Sequence, residues 1–521
     1  MSCITFWVVH TSNSITAADL GLERLNPVEM DASDRPECFL GTRVDVIESI
    51  RNWASNPDSE HKVLWLHGVA GSGKSTLATT IANLFRKMGR LGTFVFFDRE
   101  VAERSHPAVV IRTTAYQLAR NHPHTIGVAI SAAIDKFPSI AESPLRLQFS
   151  KLLVEPLLTC ANDIPIVLVF DALDECSNRD DRQNLMAVLA EESAHLPSAL
   201  RIIIASRAEY DIRTAFASKS HILTQELDIT TEANTSDIRS YFRNQMAIIR
   251  NTRTQLPFPP NWPGDEITDS LTERAFGLFI WASTAVDFIR NAHYPVKRLD
   301  MLLKEGPASG AATAIDMLYR TALNEAGRWD DQDFVADFRA VLGIVLVAKD
   351  PLSIRAIDIF LGIPSDNTVS FLNCLLTQSP TVRVLHPSFA DFLLSPQRSQ
   401  RDPWFIDAAF HNHSLTVACL DRLHATLKRN ICNLTFSTTQ VNASVSEDMT
   451  YSCIYWIEHV CAVDDEVTEM RKRVDHFLVL HLLHWIEAMS VLKRSRDIVK
   501  LLSHLHDWID VCRYVDLCAI V

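Results

Sequence analysis

Ten residues constrain this chain more than any others: HGVAGSGKST, His67 to Thr76. Within them Gly68, Val69, Ala70, Gly71, Ser72, Gly73, Lys74 and Ser75 keep the spacing G-x-x-x-x-G-K-[ST], and Thr76 follows. This spacing makes a cradle for phosphate. The glycines let backbone N–H groups turn inward around phosphate oxygens. Lys74 brings a positive charge to the terminal phosphates, and Ser75 a hydroxyl for Mg2+. The cradle needs a strand before it and a helix start after it, because the helix N-terminus adds partial positive charge. KVLWLHG reads as that strand and STLATTIANLFRKM as that helix. The loop therefore predicts an α/β core.

The rest of 61–230 agrees. TFVFFDR (93–99), IPIVLVFD (164–171), RIIIASR (201–207) and HILTQEL (221–227) are unbroken apolar runs, β-branched or aromatic. Strands of a parallel sheet covered on both faces read this way. Helical stretches separate most of them, as crossover connections require. Residues 1–60 read as mixed and partly extended, with VDVIESIRNWASN placing Val46, Ile50 and Trp53 on one helix face. Beyond 230 helical patterns dominate: TSDIRSYFRNQMAII, with Thr235 or Ser236 as a cap candidate, then DEITDSLTERAFGLFIWASTAVDFIRNA, then AIDMLYRTALNEA. TVRVLH (381–386) is strand-like, and SPQRSQRDP (395–403) is a polar boundary. The remainder, 396–521, is helical without a repeat of fixed period.

Two further stretches carry chemistry. In IVLVFDALDEC, Asp171 ends a buried strand, where its carboxylate can hold Mg2+ opposite Ser75. Glu175 on the exit loop is the candidate base for an attacking water, with Asp174 as metal support. In IIIASR, Ser206 and Arg207 lie just past the next strand, where Ser206 can sense the γ phosphate and Arg207 can stabilise developing charge.

Bulk properties narrow the rest. A chain of 521 residues exceeds one ordinary core, so three or four domains are expected. The formal charge is 50 − 63 = −13, which disfavours general binding of nucleic acid or anionic lipid. The eleven cysteines form no CxxC pair, as expected of reduced thiols in the cytoplasm. The N-terminus lacks the charged start of a signal peptide, and no apolar run reaches the ~20 residues of a membrane span. The final CAIV formally matches a prenylation box at Cys518, but without the usual last residue or a polybasic run. His476, His481, His484, His504 and His506 lack a carboxylate or Cys at zinc spacing and read as helix-packing residues, as do Trp456, Trp485 and Trp508. HNH at 411–413 lacks a nuclease's surrounding pattern.

CFLGTR, GVAGSGKST, GTFVFFDR, AYQLA, DALDE, IIIASR, GLFIWASTA and LHPSFADFL occur in one order between 38 and 393. In this the chain resembles NACHT NTPases of the STAND class, specifically fungal NOD-like proteins with a nephrocystin-3-like N-terminal core. The resemblance implies a five-stranded P-loop core (61–230) after an N-terminal segment that closes over the nucleotide. A helical domain (231–310), a winged helix (311–395) and a helical C-terminal region would follow. It implies ATP or ADP with Mg2+ as cofactors, GTP not being excluded by any readable base code. It implies slow hydrolysis and a latch: ADP holds the winged helix down, and exchange for ATP releases it for self-association. His386 in LHPSF matches the winged-helix histidine that reaches the diphosphate, and Arg43 in GTR lies in the segment closing over adenine. About 36 residues precede ECFLGTR and no repeats follow, where family members often carry an effector and a sensor. That leaves open a non-hydrolysing adaptor or decoy beside the switch, and a multi-turnover motor ranks third.

Overall fold

The computed structural model describes residues 20–520 apart from 31, 34, 161–164, 177–178, 218, 305, 307, 379, 433–444 and 464–466, together with residue 16. It forms two compact units, Met1–Asn244 with Gly277–Phe279, and Gln245–Phe276 with Ile280–Val521.

The first unit is built on one parallel sheet. Its strands are β1 (Val63–His67), β2 (Leu91–Phe96), β3 (Ile166–Asp171), β4 (Leu200–Ser206) and β5 (Ile222–Glu226), in the order β2-β3-β4-β1-β5. Successive side chains on a strand point to opposite faces. Val63 and Trp65 of β1 enter one core with Phe170 and Ile204, while Leu64 and Leu66 enter the other with Val169 and Ile203. Both faces demand apolar groups, which is why β1, β3 and β4 read as unbroken runs. The edge strand β5 is the exception: Ile222 is buried, but Thr224 and Glu226 are exposed.

Helices cover each face. On the Leu64 side, α1 (Val44–Ser55) contributes Ile50 and Ala54, and α2 (Lys74–Lys87) contributes Ile81 and Phe85. On the other side α3 (Val110–Asn121), α4 (Arg179–Glu192) and α5 (Tyr210–Phe216) contribute Leu118, Leu189 and Phe216. The helix α3 also finishes the far edge of the sheet. Gln117 Oε1 accepts from Thr93 Oγ1 at 2.7 Å and from Phe94 N at 2.9 Å, and Asn121 Nδ2 donates to the Gly92 carbonyl at 3.0 Å. Edge groups that would otherwise be open to strand pairing are thereby occupied.

Two helix expectations are corrected. The helix expected from TSDI starts earlier, as α6 (Glu232–Thr252), and its capping oxygen is Thr231 Oγ1, which accepts from Asn234 N at 3.2 Å. Thr235 lies inside the first turn, its hydroxyl donating to the Thr231 carbonyl at 3.2 Å. The pattern over 265–292 is two helices, α7 (Asp265–Arg274) and α8 (Phe279–Arg290). Phe276 and Gly277 break it with φ of 47° and 75°. The Asn234 amide donates to the carbonyls of Ile229, at 2.7 Å, and Gly277, at 2.9 Å. Apolar periodicity carries no sign of such a break.

The second unit is helical except for a short antiparallel pair, β6 (Leu376–Thr377) and β7 (Arg383–Val384). The polar stretch 395–403 is tied down by ion pairs from Arg398 to Asp316 and from Arg320 to Asp402. Towards the C-terminus, Trp456 and Trp485 are fully buried and meet edge to face, with ring centroids 5.9 Å apart. Trp508 is half-buried. His481 approaches His424 and His484 at 3.1 and 3.4 Å, yet no cluster able to hold a metal ion occurs among the described residues. Asn412 of HNH donates to the His459 carbonyl at 3.1 Å, a packing contact between helices. Eight cysteines among the described residues are free thiols, and no described helix is long and apolar enough to cross a membrane. The Cys518 side chain lies outside the described residues.

Candidate functional site

Where β1 ends and α2 begins, the loop 68–73 turns sharply. Gly71 and Gly73 take φ of 77° and 95°, backbone that disfavours any side chain. The Gly73 carbonyl accepts from Leu77 N at 2.9 Å, so the α2 ladder begins at the loop itself. The first N–H groups of α2 have no acceptor within the helix and face outward from its start. Lys74 folds back over the loop, its Nζ donating to the carbonyls of Gly68 and Val69, both at 2.9 Å. Burial lowers its pKa below the usual lysine value, and Asp174 opposes that shift. The Ser72 hydroxyl is fully buried and has no hydrogen-bond partner among the described residues.

Strand β3, separated from β1 by β4, delivers Asp171 to this loop. Ser75 Oγ donates to Asp171 Oδ1 at 3.2 Å. Asp171 is 1 % exposed, and burial raises its pKa while Arg35 and Ser75 lower it. Arg35 forms an ion pair with its other oxygen, Oδ2. Sequence reasoning missed this arginine, because no spacing rule links a residue of the N-terminal segment to a strand end 136 positions later.

Ala172 follows in the left-handed region with φ of 57°, which costs a non-glycine residue roughly 1–2 kcal/mol. The sharp exit leads into a single turn, Leu173–Glu175, that presents both acids. Asp174 Oδ2 lies 3.1 Å from Arg207 Nε, and its Oδ1 accepts the Arg207 backbone N–H at 2.9 Å. Glu175 is in a different state. Burial and then the Asp174 charge push its pKa up to about 8, with Arg99 pulling the other way. Near neutral pH this carboxyl holds its proton. Ser206 is fully buried; its hydroxyl accepts from Trp65 Nε1 at 2.9 Å and donates to the Arg207 carbonyl at 2.9 Å.

The segment before α1 reaches the same loop. Arg43 is 7 % exposed, at the N-cap of α1 with φ of 58°. Its guanidinium donates to the Ser72 carbonyl at 2.9 Å and lies 5.1 Å from the centre of the Phe279 ring. Its backbone N–H donates to Asp237 Oδ2 at 2.8 Å. His386 lies in the second unit, at the N-cap of the helix Pro387–Leu394. Its Nδ1 accepts from Ser388 N at 3.1 Å and lies 2.7 Å from Ser388 Oγ, which in turn meets the buried Tyr319 hydroxyl at 2.7 Å.

The first unit thus gathers helix-start N–H groups, an ammonium, a hydroxyl–carboxylate pair and two further acids at the C-terminal ends of β1, β3 and β4. This donor set fits a nucleoside phosphate with a divalent cation. The family model described as nephrocystin 3, N-terminal, matches residues 41–207, a span that contains the loop, both acids and Arg207. Over residues 41–207 the chain resembles NACHT/STAND P-loop NTPases. It is 22 % identical over 491 residues to vegetative incompatibility protein HET-E-1 of Podospora anserina, covering 86 % of this chain and 34 % of that protein. The chain therefore spans about a third of the length of the curated relative it matches. Among solved structures, a signal transduction ATPase with a tetratricopeptide repeat sensor from Pyrococcus horikoshii aligns with a TM-score of 0.45 at 14 % identity, over 92 % of this chain and 56 % of that chain. An Orc1 protein of Aeropyrum pernix, solved with DNA, aligns with a TM-score of 0.30 at 15 % identity, over 69 % and 93 %.

Proposed function

We propose that this protein is a nucleotide-dependent switch of the cytoplasm. It would bind ATP or ADP with Mg2+, hydrolyse slowly, and couple nucleotide state to self-association. The likeness to the Podospora protein suggests fungal incompatibility signalling as the setting. The observation that carries the reading is the contact of Ser75 with Asp171 beside Lys74 at one end of the sheet.

In this reading Lys74 releases the Gly68 and Val69 carbonyls and turns to the β and γ phosphates. Residues 68–76 would hold those phosphates, and Ser75 and Asp171 would hold the metal. Bound nucleotide and metal supply the reactive γ phosphate and a concentration of positive charge. Glu175 could act as base only after losing its proton to solvent, because a protonated carboxyl cannot accept one from water. Arg207 must be shared between Asp174 and the phosphate. Both features point to slow turnover. Ser206 supports the Arg207 carbonyl while Arg43 closes the base side, and His386 serves as the latch residue of a winged helix over 311–395.

A second reading, a non-hydrolysing adaptor or decoy, is favoured by the same protonated Glu175 and paired Arg207. The deciding experiment begins with the nucleotide retained on purification, identified by anion exchange after denaturation. Stoichiometric ADP is the expected result, with no nucleotide on Lys74→Ala. Glu175→Gln is then expected to trap ATP and increase assembly by light scattering. Wild type and Glu175→Gln behaving alike would favour the adaptor. A Lys74→Ala protein that still carries nucleotide would sink both readings.

A further inference from the structure

Asp171 is held from two sides by residues far apart in the chain. On Oδ1 it accepts from Ser75 at 3.2 Å, and on Oδ2 it pairs with the Arg35 guanidinium. Arg35 is itself fixed. Its Nε points to Thr79 Oγ1 at 3.4 Å, and its guanidinium lies over the Phe96 ring, 4.2 Å from the centroid. Thr79 donates in turn to the Ser75 carbonyl at 2.9 Å, so arginine, carboxylate and loop hydroxyl close one circuit. A carboxylate rotates about its last bond with little hindrance unless both oxygens are restrained. Charge-assisted contacts to guanidinium restrain it best.

We infer that Arg35 is a positioning residue for Asp171, fixing the carboxylate so that Oδ1 stays turned to Ser75 and the metal. The inference rests on the reading of Asp171 as the metal-side carboxylate. Arg35 holds the opposite oxygen, so it orients the ligand without standing on the metal's side. It also gives the segment before α1 a direct hold on the site.

The test uses the full chain and fluorescent N-methylanthraniloyl-ADP, with binding measured in EDTA and across a Mg2+ titration. Arg35→Ala is expected to raise the Mg2+ needed for half-saturation roughly tenfold, the usual scale for losing a residue that supports a metal ligand. Affinity in EDTA should stay within about twofold of wild type, because the phosphate cradle is untouched. Arg35→Lys, which keeps the charge but not the planar fork, should fall between. If Arg35→Ala does not fold, Arg35→Lys carries the same readout.

A parallel fall in affinity with and without Mg2+ would overturn the inference, since that is what a purely structural role predicts. So would an unchanged or lowered Mg2+ requirement, the latter showing a guanidinium that competes with the metal. Asp171→Asn separates the two levels. If it titrates like wild type, the metal-side reading fails and Arg35 falls with it. If it is impaired while Arg35→Ala is normal, only the role of Arg35 is lost.

Discussion

Asp174 holds Arg207 at two points, the guanidinium Nε at 3.1 Å and the backbone N–H at 2.9 Å. One carboxylate therefore sets both where the arginine's main chain lies and where its charge points. Asp174 is 8 % exposed and Arg207 30 %, so solvent screens the acid little and the guanidinium only partly. Asp174→Ala and Arg207→Ala should each lower phosphate release about tenfold or more. Residues acting as a unit are not additive, so the double variant should be no worse than the weaker single one. Steady-state phosphate release on the three proteins checks this; additive losses would mean that the pair does not act together.

Glu175 makes stability depend on pH in a direction opposite to ordinary surface acids. Its folded pKa of about 8 lies above the ordinary glutamate value of 4.5. Between those values the folded state holds a proton that the unfolded chain has lost, so stability falls as pH rises through this window. The slope is at most about 1.4 kcal/mol per pH unit, and solvent reaching the carboxyl reduces it. Glu175→Gln should flatten the fall. Chemical denaturation in EDTA at pH 5 to 8 measures it, and parallel curves for the two proteins would refute the assignment.

Arg43 should matter for binding more than for folding. It bridges the Ser72 carbonyl and the Phe279 ring from a position that is almost fully buried. Losing a hydrogen bond from a charged group costs about 1.5–3 kcal/mol, or roughly ten- to a hundredfold in nucleotide affinity if the loop shape carries it. Arg43→Lys should not restore binding, because an ammonium cannot both stack and reach as the planar group does. Fluorescent ADP titrations of Arg43→Ala and Arg43→Lys give the comparison.

Gly277→Ala is expected to destabilise the protein by about 2 kcal/mol or more, from left-handed backbone together with overpacking. The added Cβ would sit 2.0 Å from the Ile229 carbonyl oxygen. Asn234→Ala, which removes the two amide contacts to Ile229 and Gly277, should have a smaller effect, about 1 kcal/mol in all. Urea unfolding of both variants tests the order.

Much of the core was legible because a parallel sheet covered twice has no polar face: Val167, Val169, Ile202 and Ile204 announce strands by themselves. The loop was legible because phosphate chemistry dictates both residue type and spacing from Gly68 to Ser75. The start of α6 was misplaced because Thr231 and Thr235 are equally good capping residues in isolation, and only packing around Asn234 selects between them. The break at Gly277 was invisible because the apolar pattern continues through it. Arg35 went unseen for a related reason: its partner lies 136 positions away, at a separation that local pattern cannot report. Glu175 was seen as an acid, but its proton depends on enclosure, a property of the fold and not of the tetrapeptide around it.

The Gln117 amide at the edge of β2 limits how this sheet can meet other chains. It gives Phe94 N the acceptor that a sixth strand would otherwise provide. An extended peptide arriving there would have to displace a side chain already matched to the main chain, so growth by strand addition is blocked on that flank. The opposite edge strand, β5, carries exposed Thr224 and Glu226. The sheet is consequently closed to company at its β2 end.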